Sequence, residues 1–158
     1  MSNLRIALYQ PDIPGNTGTI LRMAACLDLT VDLIEPAGFV LTDRALKRAG
    51  MDYLAEARLV RHASWEAFEA WRRGEGRRLV LSTTHAAGSF LDHAFAGDDV
   101  LLMGRESAGV PEHVHAKADM RIRIPLAEGS RSLNVAVAAG ILASEALRQT
   151  KGFPSMRG

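Results

Sequence analysis

The 158-residue sequence holds one cysteine, Cys26, so no disulfide can form within the chain. Cys26 sits in the apolar run Met23-Ala24-Ala25-Cys26-Leu27, where the expectation is a buried thiol without catalytic duty. Long hydrophobic runs are also missing. The longest, Val135 to Ala143, falls well short of the roughly 20 apolar residues that cross a bilayer. Met1-Ser2-Asn3 leads straight into a strand-like segment, with neither a basic start nor an apolar stretch. No secretory signal is expected, and the protein reads as cytoplasmic. Charge of one sign is not in excess: 19 Lys and Arg stand against 18 Asp and Glu, a net charge of +1. Any contact with nucleic acid must therefore rest on a local basic surface. Several chemical fingerprints are absent too. The turn after the first strand reads Gly15-Asn16-Thr17-Gly18, which is not the glycine pattern of a dinucleotide fold, and no P-loop follows any strand. No Gly-x-Ser-x-Gly elbow supplies a hydrolase nucleophile. His62, His85, His93, His113 and His115 lack carboxylate or cysteine partners at metal-ligand spacing, so no metal is expected.

What is present is a chain that is 47% hydrophobic and 23% charged, the balance of a soluble globular domain. Residues 1–150 read as one domain and 151–158, rich in Gly and Pro, as a loosely held tail. Apolar runs predict strands over Arg5–Tyr9, Val31–Ile34, Ala57–Arg61, Arg78–Ser82, Asp99–Met103 and Met120–Ile124. Between them lie helical patterns: Thr17–Leu27, capped by Asn16 or Thr17; a stretch from Thr42-Asp43 with Arg44, Lys47 and Arg48 on one face; a helix capped by Ser64 and running through Trp71; and Pro111–Ala116. Strands alternating with helices predict an α/β domain with a mostly parallel sheet covered on both faces. Ligands in such sheets bind beyond the carboxyl ends of the strands. There the sequence places Thr83-Thr84, Gly104-Arg105-Glu106 and Leu126 through Asn134.

The stretch Ile122 to Leu147 concentrates this pattern. Strand-like alternation stops at Pro125, a Gly/Ser-rich turn follows, and Ser132-Leu133-Asn134 opens a helix of small apolar residues. Two roles fit that opening. Ser130 or Ser132 can cap the helix, and the free N–H groups of its first turn can hold a small polar ligand. Arg22, off the apolar stripe of its helix, reads as a solvated surface arginine, Asn16 as a helix cap, and Glu106 as an anchor for its own loop.

Three motifs settle into one family pattern: Pro14-Gly15-Asn16-Thr17-Gly18 with Arg22; Gly104-Arg105-Glu106-Ser107-Ala108-Gly109-Val110-Pro111; and Ile124-Pro125 with Ser130-Arg131-Ser132-Leu133-Asn134. In this order and spacing, across about Arg5 to Arg148, they resemble the SPOUT class of RNA methyltransferases. Ile34–Phe39 and the segment Lys47–Tyr53 look most like the small tRNA 2′-O-methyltransferases that act on the wobble cytidine or uridine of leucine tRNAs. The resemblance implies a SPOUT-type sheet whose carboxyl-terminal segment is threaded as a trefoil knot, although knots are rare. It implies S-adenosylmethionine as cofactor, held at Ser82, Thr83, Gly104, Ile124, Leu126, Ser132 and Leu133. It implies attack by the ribose 2′-oxygen on the sulfonium methyl, with Arg22, Asn16, Glu106 and Asn134 as catalytic residues. It also implies a homodimer whose active site is completed across the interface, taking an anticodon stem-loop on Arg44, Lys47, Arg48 and Arg131. The competing expectations are ribose methylation elsewhere in tRNA or in ribosomal RNA, and a knotted binding module without turnover.

Overall fold

The computed structural model describes residues 2–40, 42, 44, 57–86 and 88–156. Six parallel strands form one sheet: β1 (Arg5–Tyr9), β2 (Thr30–Ile34), β3 (Arg58–His62), β4 (Leu79–Ser82), β5 (Val100–Met103) and β6 (Met120–Ile122), in the order β3-β2-β1-β5-β4-β6. β1 pairs in register with β2 from Arg5 opposite Thr30 and with β5 from Arg5 opposite Val100. All the pairings between these strands are parallel, as the alternation of elements predicts.

Side chains of a strand point alternately to opposite faces, and the core divides accordingly. Ile6, Leu8, Val80, Leu101 and Met103 face one layer, built from helix α1 (Pro14–Cys26) and helix α4 (Val135–Thr150). Ala7, Tyr9, Leu79, Leu81, Val100 and Leu102 face the other, built from α2 (Trp65–Gly74) and α3 (Glu112–Lys117). α1 and α4 approach closely because α4 presents small residues: Ala136, Ala139, Ala143 and Ala146 are buried, and a Cβ on Gly140 would meet the Met23 sulfur at 3.4 Å. No helix among the described residues is long and apolar enough to cross a membrane.

Several element ends differ from the sequence-based expectations. α1 begins at Pro14, three residues before Thr17, and Ile13 is its N-cap without any side-chain bond. Proline suits the first helical position because its missing N–H would lack a partner there anyway. Asn16 is thus a helical residue and not a cap. Cys26 is exposed, because it falls at the end of α1 off the buried stripe of Ile20, Leu21 and Ala24. α4 starts at Val135, and its cap is Asn134, whose Oδ1 accepts the N–H groups of Ala136 (2.8 Å) and Val137 (3.2 Å). Neither Ser130 nor Ser132 caps it. β6 ends at Ile122 and not Ile124, since Arg123 leaves the ladder to pair with the preceding loop: its N–H donates to the Gly88 carbonyl and its carbonyl accepts from Phe90. β3 sits one residue later than expected, and Ser64 caps α2 through the Ala67 N–H at 3.0 Å, as expected. Lys47 and Arg48, with most of the helical stretch expected after Thr42, lie outside the described residues.

The chain ends meet at the amino edge of the sheet. α4 closes with Lys151 in the left-handed region (φ 54°), the Gly152 N–H returns to the Leu147 carbonyl at 2.9 Å, and a Cβ on Gly152 would stand 3.1 Å from that of Ser2.

Candidate active site

Beyond the carboxyl ends of β1, β4, β5 and β6 lies a cavity of about 860 Å³, within the range that takes a drug-sized ligand. Its wall comes from Ile13 and Asn16 at the start of α1, Ser82 to His85, Met103 to Val110 with Glu112 and His115 of α3 after them, and residues between Arg123 and Ala138. Each stretch leaves the sheet where a parallel strand ends and a connection begins, which is why residues so distant in sequence share one wall. Ser82, Thr83, Gly104, Ile124, Leu126, Ser132 and Leu133 all line it, as do Asn16, Glu106 and Asn134.

Local structure explains how each part is held. The Thr83 N–H donates to the Ile122 carbonyl at 3.0 Å, and its hydroxyl accepts the His85 N–H at 3.1 Å. The turn after β4 is thereby fixed to the end of β6. Arg105 and Gly109 exchange both backbone hydrogen bonds at 2.9 Å, closing the loop after β5 on itself. Gly104 is required by that closure: a Cβ there would lie 2.8 Å from the Gly109 backbone. Gly109 (φ +64°) and Gly129 (φ +84°) occupy the left-handed region that favours glycine. At the cavity wall Leu126 and Leu133 remain 36% and 37% exposed. Apolar side chains left open around a concave site are what a flat apolar group would cover.

A chain of side-chain hydrogen bonds ties the polar residues together. Asn134 Nδ2 donates to Asn16 Oδ1 at 2.9 Å, and Asn16 Nδ2 donates to Glu106 Oε1 at 3.5 Å. Glu106 Oε2 accepts the backbone N–H of Asp12 at 3.0 Å, and the Ser107 hydroxyl donates to the Asp12 carboxylate. Burial, and then the Asp12 carboxyl beside it, push the Glu106 carboxyl above the usual range. Asp12 is held below it by its hydrogen bonds to Glu106 and Ser107. Glu106 therefore anchors a loop, one of the roles its sequence position allows. Three buried polar atoms nearby, Asp12 Oδ1, Arg105 Nε and His115 Nε2, have no partner.

Arg22 is not gathered into this cavity. It is exposed on α1 and does not line the wall. Arg131 is exposed on the loop before α4, and Arg44 is exposed outside the lining. Sequence reasoning overlooked Asp12, Ser107, His85, Arg123 and His115. Asp12 carried the one usable signal: an acid between Pro11 and Pro14, directly after a strand, stands at the same sheet edge as the other motifs.

Comparison with known proteins agrees with this geometry. Residues 3–144 match the SpoU rRNA Methylase family. A tRNA (cytidine(34)-2'-O)-methyltransferase of Ancylobacter novellus is 60% identical over 150 residues, 95% of each chain. A solved structure described as bearing on the 2-OH methylation of C/U34 on tRNA is 42% identical, with a TM-score of 0.87, over 92% of this chain and 95% of that one. The SpoU methyltransferase AviRb from Streptomyces viridochromogenes, solved with the cofactor AdoMet, is 29% identical with a TM-score of 0.82, over 94% of this chain and 61% of its own.

Proposed function

The chain belongs to the SpoU rRNA methylase family, and from that premise we propose that it methylates the ribose 2′-oxygen of the wobble nucleotide, position 34, of leucine tRNAs in the cytoplasm. The enzyme is an RNA methyltransferase of the SPOUT type, and its cofactor is S-adenosylmethionine. The observation that carries the reading is one cavity whose wall takes residues from all three family motifs, Arg22 excepted, up to 118 residues apart in sequence.

The residues present suit that cofactor. Ile124, Leu126 and Leu133 offer apolar surface to an adenine, and the peptide groups around them and Gly104 can read its edge. When bound, the cofactor supplies an electrophilic methyl group on a sulfonium. The chain's own residues must align a weak nucleophile and ease the loss of its proton. Asn134 and Asn16, linked to each other and to Glu106, hold the start of α4 and of α1 against the loop after β5, so the two helix starts and the loop share one register. Arg22, able to bind a phosphate beside the reacting ribose and to stabilise developing alkoxide charge, stands outside the cavity of its own chain. A homodimer in which Arg22 comes from a second copy resolves this, and two copies also combine the basic side chains Arg44, Lys47, Arg48 and Arg131 for an anticodon stem-loop. Phosphate contacts of this kind make binding strongly salt-dependent. The trefoil threading of the carboxyl-terminal segment belongs to the same reading.

Mapping of 2′-O-methyl groups by mass spectrometry, in tRNA from cells lacking this protein, tests the substrate. Loss confined to the wobble ribose of leucine tRNAs is expected, and an unchanged position 34 overturns the reading. Sedimentation of the active enzyme tests the assembly: a fully active monomer excludes the dimer.

A further inference from the structure

Asp12 does not line the cavity, yet it is bound to residues that do. Its backbone N–H donates to Glu106 Oε2 at 3.0 Å, and the Ser107 hydroxyl donates to its Oδ2. The loop after β2 holds it from behind. The Gly38 N–H donates to the Pro11 carbonyl at 2.8 Å, and a Cβ on Gly38 would lie 2.8 Å from the Asp12 Cβ. The Asp12 side chain is therefore confined between two loops. Its carboxyl lies within hydrogen-bonding reach of the Glu106 carboxyl. Its Oδ1 is buried and has no hydrogen-bond partner.

We propose that Asp12 is a positioning residue of the methyl-transfer site, acting through the Glu106 carboxyl to hold Asn16, and through Asn16 to register the start of α4 against the loop after β5. The proposal rests on the methyltransferase reading above. Two carboxyls side by side resist ionising together, because that places like charges next to each other. Burial, and then the Asp12 carboxyl, push the Glu106 carboxyl upward, so of the two it is Glu106 that takes a proton first as the pH falls. Among the described residues, the groups facing the pair are Arg105 and Ser107 from the loop after β5, the Asn16 amide from α1 with Asn134 behind it, and Gly38 from the loop after β2. A carboxyl pinned in this way has one rotamer. The Asn16 amide, which meets Glu106 on one side and Asn134 on the other, then has one orientation.

The test uses the full chain with Asp12→Ala, Asp12→Asn and Asp12→Glu. Four quantities are read: AdoMet affinity by calorimetry, kcat and KM for tRNA, the pH profile of kcat, and the Glu106 carboxyl titration by ¹³C NMR. Asp12→Ala is expected to lower kcat about tenfold or more, with AdoMet affinity and KM within about twofold, and Asp12→Glu to recover most of the loss. Asp12→Asn, nearly isosteric, keeps the test open if the alanine variant does not fold. It removes the acid that helps raise Glu106, so the Glu106 titration, and the limb of the kcat profile that follows it, are both expected at lower pH. A raised KM with unchanged kcat in Asp12→Ala, an Asp12→Glu variant no better than the alanine, or an unmoved Glu106 titration in Asp12→Asn overturns the proposal. If the wild-type protein transfers no methyl to tRNA while the Glu106 titration still moves, it is the functional reading that falls and the Asp12–Glu106 linkage that stands.

Discussion

The two ends of the sheet handle polar groups in opposite ways. At the amino edge, acids are closed off. Asp99 takes two hydrogen bonds from Arg78 at 2.8 Å and one from the Ala96 N–H, while Asp119 takes Arg72 and the Leu79 N–H. Further into the sheet, Asp32, fully buried, is clasped by Arg5 at 2.7 Å and met by His62 at 2.8 Å, with Arg5 stacked on Trp71. Among the described residues, one buried atom there lacks a hydrogen bond, His93 Nε2, 3.8 Å from Asp99. At the carboxyl edge, Asp12, Arg105 and His115 each leave a buried atom without a partner, and two leucines stay half open. Groups satisfied by the chain itself stabilise it, and groups left unsatisfied are available to something else. The same fold thus divides its polar residues between stability at one edge and chemistry at the other.

Substitutions at the two edges separate these roles. The largest expected effect belongs to the closed network: Asp32→Ala leaves Arg5 and His62 without their acid and costs about 3–5 kcal/mol of unfolding free energy. Urea denaturation measures this, and a loss below about 1 kcal/mol would show that the network contributes little. On α1, outside the cavity of its own chain, Arg22→Ala is expected to lower methyl transfer by about 10²–10³-fold while leaving AdoMet affinity within a few-fold. Near-normal turnover of that variant removes Arg22 from the chemistry. Gly104→Ala pushes a methyl into the Gly109 backbone, and displacement of the loop is expected to weaken AdoMet binding about tenfold, read by calorimetry. The smallest effect is that of Leu133→Ala. With 37% of its surface already exposed, AdoMet affinity should fall only a few-fold, and a larger loss would mean the side chain packs on the cofactor more fully than its neighbours here allow.

The sheet and its helices were legible because the signals for them are local. Short unbroken apolar runs such as those in Arg5–Tyr9 and Val100–Met103 declare strands buried on both faces, and Ser64 three residues before a backbone N–H it can reach declares a cap. Element ends were less legible where a tertiary partner decides them. Arg123 leaves β6 because Gly88 and Phe90 lie beside it, and no sequence window containing Arg123 includes them. Asn16 looked like a cap because asparagine favours that position, whereas Pro14 had already started the helix and released the amide to bond Glu106 and Asn134. The cavity wall itself was readable through the family motifs. Asp12 was not, since its role depends on Gly38 and Glu106, which are 26 and 94 residues away by sequence number.

The meeting of the chain ends has a consequence for how this fold is extended. Ser2 and Gly152 are neighbours at the amino edge of the sheet, and α4 runs back there from the cavity. A segment fused ahead of Ser2 would therefore leave the fold on the side of the sheet away from the cavity. For a protein engineer, that side offers an attachment point from which a tag leaves the mouth of the cavity unencumbered.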